Sequence, residues 1–236
     1  MRAVVMAGGK GIRLQPYTRI LPKPMLPLGE YPILAWLLLA LGAAGITDIT
    51  LAVHHKGYVF RSYFGDGRRF GVRIRYLQEK EPQGTAGALR LIRGLKEPFL
   101  VTNADIVTNC DFVALLRFHR RHDAWMTIAT QVRSESSKLG ILETDGDRVV
   151  AYHEKPVRQE RVGIGIYVID PRALACLPAD GPCDMPELIR RLLAEGRPVV
   201  HCQTEGLWFD LGSPEQYEEV AARWSELEQQ MGRERP

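Results

Sequence analysis

The sequence predicts an α/β fold with a mixed, mostly parallel sheet of Rossmann-like type and helices on both faces. Two observations lead to this prediction. Short apolar segments, typical of buried strands, alternate with helix-like segments through the first half of the chain. A glycine-rich segment directly follows the first strand, where sheets of this kind place a ligand-binding loop. The 236 residues are sufficient for one such domain.

Turn residues separate the strands and helices of the first half. The apolar runs predict strands at Arg2–Ala7, Asp48–Val53, Val72–Leu77, Pro98–Thr102 and Trp125–Val132. Helices are predicted at Pro32–Ala44, Tyr58–Phe64, Thr85–Leu95 and Asp111–Arg121. The first helix is apolar on nearly all sides, so Ile33–Leu41 is either wholly internal or partly at a contact between subunits. The sequence therefore leaves open whether the protein forms a homo-oligomer.

The second half of the chain is more mixed. Strand segments are predicted at Gly140–Glu143, Val149–Tyr152, Val162–Ile169 and Leu207–Phe209. The first two flank Asp145-Gly146, a dipeptide typical of a tight hairpin turn. Helices are predicted at Met185–Ala194 and Pro214–Glu228, the second with Ser213 as its N-cap.

The composition argues against several classes of partner. The chain is 45% hydrophobic and 25% charged, with a net charge of +3, and no concentrated basic stripe indicates a nucleic-acid partner. Its longest largely apolar stretch, Ile33–Ile46, is too short to span a bilayer, and no cleavable signal peptide opens the chain, so we expect no membrane partner. The four cysteines are scattered without a C-x-x-C pair. This pattern is typical of free thiols and predicts a cytoplasmic protein.

The glycine-rich segment Ala7–Leu14 allows more than one interpretation. Its glycines are Gly8, Gly9 and Gly11, and because glycine lacks a Cβ their N–H groups can approach a phosphate closely. A Walker-type loop is excluded because Lys10 is followed by glycine rather than by serine or threonine. A dinucleotide fingerprint is disfavoured because Leu14 stands where glycine or alanine is needed. A nucleoside triphosphate loop completed by Arg13 and a plain tight turn both stay open.

A lysine between two prolines follows this segment. Pro22 and Pro24 restrict the backbone on both sides of Lys23, which a solvent-exposed structural lysine rarely needs. Lys23 and Arg13 are therefore candidate cations for one anionic ligand. The alternative is a surface lysine in a proline-rich loop.

Seven motifs follow one another along the chain. They are Ala7-Gly8-Gly9-Lys10-Gly11-Ile12-Arg13-Leu14, Pro22-Lys23-Pro24, Gln83-Gly84-Thr85-Ala86-Gly87-Ala88, Asn103-Ala104-Asp105, Glu154-Lys155-Pro156, Gly165-Ile166-Tyr167 and Trp208-Phe209-Asp210-Leu211-Gly212-Ser213-Pro214-Glu215. Each is weak alone, but the ordered set resembles the sugar-1-phosphate nucleotidyltransferases, also called nucleotide-sugar pyrophosphorylases. The resemblance implies the nucleotide-diphospho-sugar transferase type of α/β fold. It also implies that residues 1–236 are a single catalytic domain with no C-terminal β-helix domain.

The resemblance implies an enzyme that joins a nucleoside triphosphate to a sugar 1-phosphate and releases pyrophosphate. Thr85-Ala86-Gly87-Ala88 resembles guanylyltransferases for mannose or heptose 1-phosphates more than thymidylyltransferases, which implies GTP and such a sugar. Uridylyl, cytidylyl or thymidylyl transfer to another sugar 1-phosphate stays open, as does a non-catalytic regulatory subunit that binds a sugar nucleotide. Both reactants are anions, and two like unit charges about 4 Å apart repel by roughly 4 kcal/mol at an effective dielectric of about 20. Cations at the reacting centre are therefore the main catalytic requirement.

The resemblance also implies a catalytic set of four charged residues: Arg13, Lys23, Asp105 and Asp210. Asp105 and Asp210 are expected to share one Mg²⁺, an ion that accepts one or two carboxylates together with phosphate oxygens and water. Arg13 and Lys23 are expected to contact the triphosphate and to neutralise charge in the transition state.

Further residues are implied to bind the two substrates. The nucleotide is expected to contact Ala7, Gly8, Gly9, Gly11, Arg13, Gln78, Gly84 and Thr85. Gln78 is expected to pair with the base because its side chain can both donate and accept hydrogen bonds. The sugar 1-phosphate is expected to contact Glu154, Lys155 and Gly165, with Lys155 on the phosphate and Glu154 on a sugar hydroxyl.

Overall fold

The fold is known from a computed structural model that describes residues 1–9, 11–54 and 56–231. Its strands are β1 (Arg2–Met6), β2 (Pro27–Leu28), β3 (Tyr31–Pro32), β4 (Asp48–Val53), β5 (Arg73–Gln78), β6 (Phe99–Asn103), β7 (Ile106–Thr108), β8 (Met126–Ser136), β9 (Ile141–Asp145), β10 (Arg148–His153), β11 (Val157–Ile169), β12 (Val199–Gln203) and β13 (Trp208–Asp210). Its α-helices are α1 (Ile33–Ala43), α2 (Gly57–Phe64), α3 (Gly84–Gly87), α4 (Phe112–Arg121), α5 (Met185–Ala194), α6 (Pro214–Ala222) and α7 (Trp224–Met231). Lys10 of the glycine-rich segment lies outside the described residues.

Seven of the strands form one sheet in the order β12-β8-β11-β6-β1-β4-β5. The pairs β6–β1, β1–β4, β4–β5 and β12–β8 are parallel, whereas β11 runs antiparallel to both of its neighbours. The pairing confirms the predicted mixed, mostly parallel sheet. In the central strand β1, Ala3, Val4 and Val5 are fully buried, as expected for a strand covered by helices on both faces.

Alternate residues of β1 enter two different cores. Ala3 and Val5 belong to a core with side chains of α1, α2 and α4, among them Leu38. Val4 belongs to a second core with side chains of α3 and α5, among them Leu188. Because successive side chains of a strand point to opposite faces, an apolar strand of this kind requires a helical layer on each face.

Helix α1 is buried within this chain. Leu34 and Leu38 of α1 pack in the core on the sheet side. On another side, Ile33 and Trp36 join a third core with Trp224 of α7, and the rings of the two tryptophans lie 4.8 Å apart. The helix is therefore internal, which is the first of the two alternatives, and a second subunit is not needed to cover it.

The segment Thr85–Leu95 does not form the single α-helix that was predicted. α3 ends at Gly87, and a 3-10 helix, Ala88–Leu91, follows it. The N–H groups of Ala86 and Gly87 donate to the carbonyl oxygen of Cys183, at 2.9 and 2.8 Å. The segment is thus docked on a loop far along the chain, and helical periodicity contains no signal of that partner.

The predicted helix Pro214–Glu228 is divided into α6 and α7. Ser213 caps α6 as predicted, in a capping box with Gln216. The division falls at Arg223, whose φ of −101° and ψ of 8° depart from helical values. Val220 and Trp224, one on each side of this division, both belong to the third core beside α1.

Strands β8 and β11 extend further than their apolar residues indicate. Their ends, out to Ser136 and Val157, pair as an exposed antiparallel ribbon. The ribbon was missed because its ends are largely polar. β7 and β12 were also missed; the residues of β12, Val199–Gln203, form neither a continuous apolar run nor a strict alternation. The β9–β10 hairpin is confirmed, with Gly146 at a φ of +57° in its turn.

None of the described helices combines the length and the apolar character that a membrane crossing requires.

The four cysteines are all free, as expected: Cys110, Cys176, Cys183 and Cys202. The cytoplasmic location stays a prediction.

Candidate active site

A cleft of about 480 Å³ opens beside the carboxyl ends of β1 and β6, the edge where α/β sheets bind ligands. The predicted site residues that line it are Ala7, Gly8, Gly9, Gly11, Arg13, Lys23, Gly84, Thr85 and Asp105. The predicted residues outside its lining are Gln78, Glu154, Lys155, Gly165 and Asp210.

The glycine-rich segment is shaped by a glycine with a positive φ. Gly11 has a φ of +62°, and its carbonyl oxygen accepts a hydrogen bond from the Thr18 hydroxyl at 2.7 Å. A Cβ at Gly11 would come within 3.0 Å of Thr18 Cγ2, so both backbone angle and space require glycine there. A Cβ at Gly9 would meet no described atom within 4 Å. The N–H of Ala7, by contrast, donates to Ala52 at 2.8 Å and is committed to the sheet.

Lys23 lies between two carboxylates. Its Nζ donates to Asp105 Oδ2 and lies 3.6 Å from Asp210 Oδ1, and its side chain is only 9% exposed. The aspartates come together because β7 and β13 pair antiparallel with Asp210 opposite Ile106, the residue after Asp105. Opposite charge at this distance stabilises a buried ammonium that would otherwise be costly. The three residues therefore form one charged cluster.

Arg13 extends toward the same cluster. It belongs to a 3-10 helix, Ile12–Leu14, that is anchored by the fully buried Leu14. A Cβ at Gly212 would stand 3.6 Å from Arg13 Nη1 and 3.5 Å from Asp210 Oδ1. The Arg13 guanidinium and the Asp210 carboxylate therefore both lie beside Gly212.

The two carboxylates suit a hard divalent cation. No group of three or more His, Cys, Asp or Glu side chains with metal-binding geometry occurs among the described residues. Asp105 and Asp210 nevertheless supply the one or two carboxylates that Mg²⁺ takes when phosphate oxygens and water complete its shell. The ammonium of Lys23 between them indicates that the pair accommodates a positive charge.

Gln78 does not line the cleft itself. Its side-chain amide donates to the carbonyl oxygen of His54 at 2.8 Å, and the residue is exposed. The next residue, Glu79, lines the cleft instead and is only 7% exposed. Gln78 is therefore bonded to a residue that lines the cleft, His54, and its pairing with the base stays a prediction.

Gly84 and Thr85 line the cleft but are held by a distant loop. Gly84 has a φ of +75°. The N–H of Thr85 donates to Asp184 Oδ1 at 3.1 Å, and its Oγ1 accepts from the N–H of Met185 at 2.8 Å. Thr85 thus fixes the shape of the loop.

Glu154 and Lys155 lie outside the cleft, after β10. Their side chains are 60% and 63% exposed, and Lys155 Nζ is 3.9 Å from Glu154 Oε1. Glu154 also accepts a hydrogen bond from the Tyr152 hydroxyl, which raises the pKa of that tyrosine. Both side chains are largely open to solvent.

Gly165 lies in β11 behind a residue that lines the cleft. It has a φ of +73° within the irregular register between Gly163 and Tyr167. A Cβ at Gly165 would come within 3.0 Å of Asn103 Nδ2 and 2.9 Å of Ile106 Cδ1. Because Asn103 lines the cleft, Gly165 supports the cleft from behind.

We expect Gly165→Ala to destabilise the protein by about 2–4 kcal/mol, because it combines left-handed backbone strain with a steric clash. Gly146→Ala is the matched control, because that glycine has a φ of +57° and open space around it. Gly146→Ala should lose only the free energy of left-handed backbone strain, about 1–2 kcal/mol. Chemical denaturation measures both. Equal losses in the two variants would refute the clash with Asn103 and Ile106.

Sequence reasoning missed several residues that line the cleft. They include His54, Glu79, Pro82, Asn103 and Asp184. Asn103 belongs to the motif Asn103-Ala104-Asp105, in which only Asp105 was assigned a role. Glu79 carried a signal, since it follows a predicted strand. No sequence pattern indicated His54 or Asp184, because only contacts between loops bring them to the cleft.

The comparisons with known proteins agree with this fold. The sequence model of the nucleotidyl transferase family matches residues 2–226. A mannose-1-phosphate guanylyltransferase of Mycobacterium tuberculosis is 35% identical over 91% of this chain, and a mannose-1-phosphate guanyltransferase of Candida albicans is 33% identical over 92%. The chain spans 62% of the length of each of these relatives.

Solved structures share the fold. A putative glucose-1-phosphate thymidylyltransferase from Bacillus anthracis, solved in complex with a sucrose, superposes with a TM-score of 0.73 at 24% identity and covers 94% of both chains. HddC from Yersinia pseudotuberculosis gives a TM-score of 0.72 at 25% identity, over 94% of this chain and 99% of that one. The fold, the cleft and a family match over nearly the whole sequence agree, and the chain belongs to the nucleotidyl transferase family.

Proposed function

We propose that residues 1–236 act as one catalytic domain that transfers a nucleoside monophosphate from a nucleoside triphosphate to a sugar 1-phosphate. An oxygen of the sugar phosphate attacks the α-phosphorus, the bond from that phosphorus to the bridging oxygen breaks, and pyrophosphate leaves. The products are a nucleoside diphosphate sugar and pyrophosphate. The observation that supports this reaction best is the buried Lys23 between Asp105 and Asp210 beside a glycine-rich cleft.

Electrostatics supports the proposal. Two anions must meet, so the protein must supply positive charge where negative charge accumulates. Lys23 and Arg13 line the cleft beside the glycine-rich segment, and Gly9 leaves the cleft open at its position. We assign the triphosphate to the backbone of Gly8, Gly9 and Gly11, with the two cations neutralising it.

Asp105 and Asp210 are the residues that would hold Mg²⁺ in this proposal. Bound there, the ion would neutralise phosphate charge and help to orient the reacting groups. Lys23 adds a second positive charge from the protein itself, so the cluster serves both to bind the anions and to stabilise the transition state.

The sugar 1-phosphate is assigned to Glu154, Lys155 and Gly165. The side chains of Glu154 and Lys155 are largely open to solvent, so a ligand can reach both. Lysine suits a phosphate as a point charge, and a carboxylate accepts hydrogen bonds from sugar hydroxyls. Gly165 acts through Asn103, which it supports from behind.

GTP and a mannose-type sugar 1-phosphate are the proposed substrates. The support is the set of relatives named mannose-1-phosphate guanylyltransferases or guanyltransferases, which are 32–35% identical over more than nine tenths of this chain. A heptose 1-phosphate is the second sugar to test, and UTP, CTP and dTTP are the competing nucleotides.

A substrate grid tests the proposal. The protein is incubated with Mg²⁺, each of the four nucleoside triphosphates GTP, UTP, CTP and dTTP, and a panel of hexose and heptose 1-phosphates, and pyrophosphate release is measured. We expect release that requires both substrates and is fastest with GTP and mannose 1-phosphate. Nucleotide binding with no release from any pair would refute the enzyme and favour a regulatory binding protein.

A further inference from the structure

The two-stranded sheet that carries Asp210 is very short. β7 and β13 pair at three positions, and Asp210 stands opposite Ile106 at one end of them. Two strands of this length are marginally stable on their own. A slip of one residue would turn the Asp210 side chain to the opposite face of its strand, away from Lys23. Contacts beyond the three pairs are therefore needed to fix the register.

Hydrogen bonds to Leu207 extend the other end of this sheet. The N–H of Leu207 donates to Asn109 Oδ1 at 2.7 Å. Its carbonyl oxygen accepts from the Thr108 hydroxyl at 2.8 Å and from the N–H of Asn109 at 3.3 Å. A slipped backbone can form new backbone pairs, but a side-chain oxygen offers its acceptor at one position only. The bond to Asn109 Oδ1 is therefore specific to the observed register.

The chain passes close to Asn109 just before Leu207. Gly206 has a φ of +99°, and a Cβ at this position would overlap Asn109 Oδ1. Both the backbone angle and the close approach require glycine. A side chain at position 206 would push the Asn109 amide out of its place, so the fit between these two residues is close.

Asn109 acts at a distance from the cleft. It does not line the cleft, and its partner Leu207 precedes Asp210 by three residues, or about 10 Å of extended strand. On the other side of Asp210, Leu211 is fully buried in the third core. Apolar packing of this kind is non-directional, whereas the hydrogen bond from Leu207 to Asn109 specifies which residues stand opposite each other.

We propose that Asn109 is a positioning residue for Asp210. By accepting the N–H of Leu207, it sets the register of β13 on β7. That register keeps the Asp210 carboxylate 3.6 Å from Lys23 Nζ, in the same cluster as Asp105. The inference rests on the proposed function and deepens it, since a residue outside the cleft controls the geometry of the two carboxylates assigned to Mg²⁺.

Two substitutions at Asn109 test the role of its oxygen. Asn109→Ala removes the acceptor, whereas Asn109→Asp keeps an oxygen in the same place. With the fastest substrate pair of the grid, Asn109→Ala should lower kcat about 10–100-fold and raise the Mg²⁺ concentration at half-maximal rate about 10-fold, the scale for residues that orient metal ligands. The KM for the sugar 1-phosphate should stay within about threefold, because Asn109 acts on the metal ligands.

Asn109→Asp should restore both kcat and the Mg²⁺ response to within about threefold of the unaltered protein. Losses in Asn109→Asp as large as those in Asn109→Ala would overturn the proposal. So would a kcat and a Mg²⁺ response within about twofold of normal in Asn109→Ala.

Asp111→Ala is the matched control. Asp111 Oδ1 accepts the N–H of Ala114 at 2.9 Å and caps α4, so its loss also removes a hydrogen bond from backbone to side chain. Asp111 is exposed and does not line the cleft. Its replacement should lower the melting temperature but leave kcat and the Mg²⁺ response within about twofold. A change in the Mg²⁺ response as large as that in Asn109→Ala would show that lost stability is the cause, and would refute the proposal.

A measurement without substrates separates this inference from the proposed function. In Lys23→Met no ammonium lies between the two aspartates, so Mg²⁺ should bind there and raise the melting temperature. Adding Asn109→Ala should remove at least half of that rise, whereas adding Asp111→Ala should leave it unchanged. If turnover is absent with every substrate pair, the proposed function fails, but this loss would still support the positioning of Asp210. Equal rises with and without Asn109→Ala would refute it.

Discussion

Asp105→Asn is expected to lower kcat about 10³-fold or more, the scale that removal of a key electrostatic group produces in phosphoryl transfer. Asparagine keeps the shape and one acceptor oxygen but removes the negative charge. Lys23 then loses the carboxylate that its ammonium contacts, and the proposed Mg²⁺ loses one of its two charged ligands. Pyrophosphate release with GTP and mannose 1-phosphate measures the effect.

One further measurement and a control variant identify the cause of that loss. The Mg²⁺ concentration at half-maximal rate should rise in Asp105→Asn, because fewer carboxylates bind the ion more weakly. Asp180→Asn is the control, since Asp180 is exposed and does not line the cleft; it should leave both quantities unchanged. Near-normal turnover in Asp105→Asn, with a normal response to Mg²⁺, would remove Asp105 from the proposed metal site.

Lys23→Met is expected to lower kcat/KM about 10²–10³-fold and also to change stability. Methionine has a similar length but carries no charge, so it neutralises neither the triphosphate nor the two aspartates. With the ammonium removed, Asp105 and Asp210 face each other uncompensated, which should cost about 1–3 kcal/mol of unfolding free energy. Steady-state kinetics and chemical denaturation measure the two effects.

The response to Mg²⁺ distinguishes this electrostatic account from a simple packing defect. A cation that binds only the folded state stabilises it, and it should do so more in Lys23→Met, where the carboxylates have no ammonium between them. We therefore expect Mg²⁺ to raise the melting temperature of Lys23→Met more than that of the unaltered protein. Lys96→Met, an exposed lysine outside the cleft, should respond like the unaltered protein. If Mg²⁺ raised the melting temperatures of Lys23→Met, Lys96→Met and the unaltered protein equally, the result would contradict the charged cluster.

Features that depend on only a few neighbouring residues were predictable from the sequence. The burial of Ala3, Val4 and Val5 follows from an apolar run, and the positive φ at Gly11 fits a glycine-rich segment after that strand. The capping box at Ser213 is likewise a local pattern. Each depends on backbone angles and side-chain alternation within a few residues, and those are properties of the residue types themselves.

The choice between Gln78 and Glu79 shows where this local reasoning fails. The predicted strand ends at Leu77, whereas β5 continues to Gln78. Because neighbouring side chains along an extended chain point in opposite directions, a shift of one residue decides which one enters the cleft. In the structure Glu79 lines the cleft, and the amide of Gln78 donates to the carbonyl oxygen of His54. Sequence periodicity contains neither contact.

By itself, the sequence determined that a glycine-rich loop follows a buried strand and that a lysine between two prolines comes after it. It also determined that aspartates occur at or just after the ends of later strands. Only the tertiary structure decided that Lys23, Asp105 and Asp210 form one cluster, because the antiparallel pairing of β7 with β13 joins segments far apart in the chain. It likewise decided that Glu79 borders the cleft and that a distant loop holds Thr85. Contacts between remote segments depend on how all the layers pack together, and no local pattern of residues encodes them.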